Sequence, residues 1–108
     1  MNIELNQKIA VVSGGATLIG QAVVQALVDA GAKVVILDIA EQGQQVADAM
    51  NNQAKFIQTD LSSDVAIARA VKTIHDTWGK VDYLVNLACT YLDDGFKSSR
   101  GDWLQALD

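Results

Sequence analysis

Ser13, Gly14 and Gly20 stand in the run SGGATLIG, and Asp38 follows eighteen residues after Gly20. Glycines that lead into a helix bare its unpaired backbone N–H groups. These carry roughly half a positive charge and suit a phosphate or pyrophosphate. A carboxylate at the end of the next strand accepts hydrogen bonds from ribose hydroxyls and repels a 2′-phosphate. The spacing is not Gly-x-Gly-x-x-Gly, so the motif gains weight only where strand, turn, helix and acid fall in register. Plainer roles exist for each residue. Gly14 and Gly20 would also serve close packing of helix on strand, and Asp38 would also cap the next helix.

The surrounding elements supply that register. Four apolar runs predict strands: KIAVVS (8–13), KVVILD (33–38), KFIQTD (55–60) and VDYLVNLA (81–88). The first two, and the centre of the fourth, are nearly continuous and β-branched, as in a parallel sheet covered on both faces. Val23, Val24, Leu27 and Val28 form the stripe of a helix starting near 18, with Gly31 as its C-terminal cap. A weaker, outer helix is expected over roughly 41–52. It turns Val46, Ala49 and Met50 inward, and Gly43 costs it up to about 1 kcal/mol. Ile67, Ala70, Val71, Ile74 and Trp78 mark a third helix, begun by Ser62 or Ser63 with Asp64 in its first turn and closed by Gly79. A last helix begins near Ser98 or Ser99, with Trp103, Leu104 and Leu107 on its apolar side. Strand–helix alternation of this kind predicts a single α/β domain with a doubly wound parallel sheet.

Composition narrows the function. The 108 residues are half hydrophobic and carry a net charge of −5. A chain of this length buries roughly 60–70% of its unfolded surface, enough for one core. The eight Lys and Arg are scattered, which argues against nucleic acid. The single cysteine, Cys89, forbids an internal disulfide. No apolar run approaches the ~20 residues that span a bilayer, and the N-terminus carries no secretory signal pattern. The expectation is a soluble cytoplasmic protein that handles small molecules.

With strand, turn, helix and acid in order, the chain resembles the N-terminal half of a short-chain dehydrogenase/reductase. That family's turn reads Thr-Gly-x-x-x-Gly-x-Gly, matched here by Ser13 (for Thr), Gly14, Ile19 and Gly20. TDLS (59–62) is similar to its Asp-Val segment, and LVNLAC (84–89) to its Leu-Val-Asn-Asn-Ala-Gly segment, keeping Asn86 and Ala88. The resemblance implies a Rossmann-type fold, a three-layer α/β/α arrangement with sheet order 3-2-1-4. It implies an NAD(H)-dependent oxidoreductase that interconverts an alcohol and a ketone or aldehyde. The pyrophosphate would lie on the turn from Ser13 to Gly20, alongside Thr17, Leu18 and Ile19. The ribose would meet Asp38 and its neighbour Ile39, and the adenine Asp60 and Leu61. Asn86 would link neighbouring strands near the ribose, and Ile19, Ala88 and Cys89 would lie along the path from ribose to nicotinamide. Asp38, with a Thr17 that is not basic, favours NAD over NADP.

Three positions depart from the family pattern: Leu18 for the middle glycine, Leu87 for the second asparagine and Cys89 for the glycine after alanine. The family's catalytic Tyr-x-x-x-Lys is missing, since Tyr83 is followed at +4 by Leu87 and Tyr91 by Gly95. The expectation is therefore the cofactor half of a longer enzyme, inactive by itself, with the catalytic half absent and no catalytic residue present. No metal site is expected either, because Asp93 and Asp94 beside Gly95 read as turn chemistry. Cys89 reads as a small apolar substitute for glycine, and His75 as a solvated surface residue. Trp78 and Trp103 read as core or interface anchors. The fourth strand would be left as a bare apolar edge, and the parent enzyme would be a dimer or tetramer. Two other readings remain. One is a non-catalytic nucleotide-binding module on the same fold. The other is a flavodoxin-like or receiver-type domain; the first loop argues against it, since a receiver wants acids at the end of the first strand, where Ser13 and Gly14 stand.

Overall fold

Residues 4–87 are described by the computed structural model. The last expected helix, with Trp103, and the positions Ala88, Cys89, Asp93 and Asp94 lie outside them. The elements are β1 (Ile9–Ser13), α1 (Leu18–Asp29), β2 (Lys33–Asp38), α2 (Gln42–Asp48), β3 (Ala54–Gln58), α3 (Asp64–Trp78) and β4 (Tyr83–Asn86). All strand pairs are parallel, and the sheet order is β3-β2-β1-β4. The 3-2-1-4 expectation is met.

Both sheet faces are covered, which explains why the central strands lack an alternating pattern. On one face Ala10, Val12, Val34 and Ile36 pack against Val24 of α1 and against Val46 and Ala47 of α2. On the other, Val11, Val35 and Leu37 pack against Ala70 and Ile74 of α3, with Trp78 partly buried beside them. Every residue of β1 is buried. Burial of side chains such as Val12, Ile36 and Ile74 stabilises the fold by about 1.5–3 kcal/mol each. The register sets Val12 between Ile36 and Val85, and Ser13 between Leu37 and Asn86. The carboxyl ends of β1, β2 and β4 therefore finish side by side.

The caps follow the sequence closely. Ser63 opens α3 by accepting a hydrogen bond from the Ala66 N–H at 3.2 Å, and Gly79 closes it in a left-handed conformation. The middle helix differs from expectation. It ends at Asp48 because Asn51 and Asn52 both take positive φ, a conformation that short polar side chains tolerate. Ala47 is buried in place of Ala49. Gly43 has a packing role beside its cost to the helix, since a Cβ there would meet the Phe56 ring. The strands β3 and β4 are also shorter than their apolar runs. Among the described residues no helix is long and apolar enough to cross a membrane.

Candidate functional site

The site begins where β1 stops. Gly14 donates its N–H to the Leu37 carbonyl at 2.8 Å, extending the ladder with β2 by one residue. It then takes a φ of 83°, a left-handed backbone that costs a residue with a Cβ about 1–2 kcal/mol. The Gly14 carbonyl accepts from the Thr17 hydroxyl at 3.0 Å. That hydroxyl in turn accepts from the Gly20 N–H at 2.9 Å, so Thr17 is the N-cap of α1. A Cβ on Gly20 would collide with the Gly14 carbonyl and with Gly15. Gly20 therefore lets the helix start lie directly on the turn.

Thr17 satisfies the Gly20 N–H, and Asp38 satisfies that of Ala16. Neither the Leu18 nor the Ile19 N–H has an acceptor among the described residues. These two amides open α1 at an exposed surface. Leu18 lies within the helix and outside the positive-φ residues, so replacing glycine there carries no left-handed strain. Its side chain is 86% exposed, and that of Ile19 71%.

Asp38 faces this turn from the end of β2. Its Oδ2 accepts from the Ala16 N–H at 3.1 Å and its Oδ1 from the Ala40 N–H at 3.0 Å. Ile39, the next residue, is 62% exposed, and its carbonyl accepts from Gln58 Nε2 at 2.9 Å. Across the sheet, the Ser13 hydroxyl donates to Asn86 Oδ1 at 2.6 Å, and the Leu87 N–H donates to the Ser13 carbonyl at 2.8 Å. Asn86 thus ties β4 to β1 beside the glycine turn.

Asp60 and Leu61 follow β3. Asp60 Oδ1 accepts from the Ser62 hydroxyl at 2.6 Å and the Ser62 N–H at 3.0 Å. Those bonds hold its carboxyl below the ordinary carboxylate range. Leu61 packs against the core beneath α3. Sequence reasoning missed Ala16 and Ala40, which act through backbone N–H groups and so leave no mark in residue type. It also missed Asp82, whose Oδ2 accepts from the Ile9 N–H at 2.8 Å and pairs with Lys80 Nζ at 3.3 Å. The Ile9 hydrogen bond, ahead of the Lys80 contacts, lowers the Asp82 pKa.

The arrangement combines free helix-start N–H donors, a glycine turn with no side chain to fill it, and a carboxylate. Such a set recognises a diphosphate and a sugar diol together. The donor set fits a dinucleotide, whose pyrophosphate the Leu18 and Ile19 N–H groups could receive.

The family model described as short chain dehydrogenase matches residues 8–106. The chain is 39% identical over 88 residues to Short-chain dehydrogenase reductase 3a of Arabidopsis thaliana, covering 80% of this chain and 34% of that protein. It is 30% identical over 87 residues to 3-hydroxyacyl-CoA dehydrogenase type-2 of Drosophila melanogaster, covering 80% and 34% respectively. Among solved structures it is similar to 3-ketoacyl-(acyl-carrier-protein) reductase from Brucella melitensis complexed with NADH. The TM-score is 0.72 at 29% identity, over 75% of this chain and 34% of the other. The chain thus spans about a third of the length of the proteins it matches.

Proposed function

The chain belongs to the short-chain dehydrogenase family, and from that membership we propose that it forms the dinucleotide-binding part of an NAD(H)-dependent oxidoreductase. The reaction interconverts an alcohol and a ketone or aldehyde, with a small-molecule substrate. The observation that carries the reading is the Asp38 carboxylate bonded to the Ala16 N–H at 3.1 Å, across 22 residues of sequence. It sets a sugar acceptor directly beside a glycine turn and a bare helix start.

In this reading the Leu18 and Ile19 amides hold the pyrophosphate, while Gly14 makes the left-handed turn and Gly20 lets the helix start lie against it. Asp38 accepts from the adenosine ribose hydroxyls. Ile39 and Leu61 flank the adenine, with Asp60 beside them. Ser13 and Asn86 keep β1 and β4 in register beneath the nicotinamide ribose, and Ala88 and Cys89 continue that path. The bound cofactor would supply or accept the hydride. This part of the fold binds and orients it, and holds no Tyr-x-x-x-Lys to protonate a carbonyl oxygen.

The preference for NAD over NADP follows from charge. A 2′-phosphate placed against Asp38 meets a like charge with no basic residue in the turn 13–20 to offset it. Calorimetric titration of the chain with NAD and NADP tests this. NAD should bind at least about tenfold tighter, the equivalent of 1.4 kcal/mol, and Asp38→Ala should narrow the gap. Equal affinities in the wild-type chain would remove the ribose role of Asp38.

A further inference from the structure

Resting on the reading of Asp38 as the ribose acceptor, we infer that Asp38 is also a positioning residue that sets the glycine turn before any ligand arrives. Between Gly14 and the start of α1 the chain is Gly15, Ala16 and Thr17. Glycine loses more conformational freedom on ordering than any other residue, so this turn needs anchors. Two kinds of bond hold it. The local ones join Thr17 to the Gly14 carbonyl and Gln21 Nε2 to the Ala16 carbonyl at an exposed site. The other is the bond from the Ala16 N–H to Asp38 Oδ2, the side-chain bond that ties the turn to a neighbouring strand. Its acceptor is charged, which makes it roughly twice as strong as a neutral bond.

The second oxygen completes the arrangement. Oδ1 takes the Ala40 N–H, so the carboxylate is fixed from both sides and cannot rotate without releasing a backbone donor. A carboxylate offers about four lone-pair sites, and these two bonds occupy two. The remaining sites can receive sugar hydroxyls without disturbing the turn. The same bonds engage both N–H groups that converge here, leaving neither for a 2′-phosphate. One side chain therefore orders the turn, accepts the ribose and closes the point at which NADP would need donors.

Amide hydrogen exchange on the ligand-free chain separates the positioning role from ribose binding. In Asp38→Ala the Ala16 and Ala40 amides should exchange about tenfold faster or more, while Val35 and Ile36 in the middle of β2 keep their protection. Asp38→Asn, which retains one acceptor oxygen, should preserve protection at one of the two amides. Its ratio of NAD to NADP affinity should fall, because the charge is gone. Unchanged exchange at Ala16 in both variants would overturn the positioning role, even if NAD binding is lost. A uniform loss of protection through β1 and β2 would overturn it too, by making Asp38 a residue of general stability. Failure of the wild-type chain to bind NAD would sink the ribose reading and leave the exchange result standing by itself.

Discussion

Leu18 is the residue at which family pattern and physical reading pull apart most. A leucine where relatives of this pattern carry glycine raises two concerns, backbone strain and crowding. The first is answered by its place in the helical first turn. The second bears on a side chain that is 86% exposed while its own N–H stays without an acceptor among the described residues. Leu18→Gly should therefore leave NAD affinity unchanged within error and lower the melting temperature slightly, since glycine disfavours a helix by up to about 1 kcal/mol. A marked gain in affinity would show that Leu18 obstructs the site. At this scale the sequence was legible where side chains carry the chemistry, as at Asp38, where a positive φ favours glycine, as at Gly14, and where a Cβ would strike backbone, as at Gly20. It was silent at Ala16 and Ala40, because an alanine's N–H looks the same in any turn.

At the scale of elements, intrinsic propensity and tertiary contact give opposite forecasts for Gly43. Propensity alone says that Gly43→Ala should stabilise α2 by up to about 1 kcal/mol. The Phe56 ring occupies the place of the new methyl, and forcing extra volume into a packed contact costs about 1–3 kcal/mol. Urea denaturation should show Gly43→Ala to be destabilised; a more stable variant would mean that the ring moves aside easily. The end of α2 was misjudged for a related reason. Its apolar spacing runs on to Met50, but Asn51 and Asn52 turn the chain into positive φ to enter β3. In α3, by contrast, both caps agreed with the pattern, and Ile67, Ala70, Ile74 and Trp78 of the stripe turn inward; Val71 does not, and lies exposed on the edge of that face.

Across the whole molecule, alternation of strands and helices was enough to give the parallel sheet, because the first two apolar runs and the centre of the fourth are short and β-branched, and each is followed by a helical stripe or cap. What sequence did not reveal is how distant segments are tied. The Asp82 carboxylate binds the first amide of β1, 73 residues away. Its pKa is lowered in the folded chain, so the stability it contributes is complete above the ordinary carboxylate pKa of about 3.9 and is lost as pH falls through the lowered value. Denaturation midpoints should decline on acidification below about pH 4. Asp82→Asn should flatten that decline, and an unaltered slope would assign the acid sensitivity elsewhere. The central claim concerns the glycine turn and the acid of β2 acting as one site. Its most direct test is titration of the isotopically labelled chain with NAD, followed by amide NMR. Saturable shifts should concentrate at Ala16, Leu18, Ile19 and Ala40, with NADP far less effective. No saturation, or shifts clustered away from these amides, would contradict the claim.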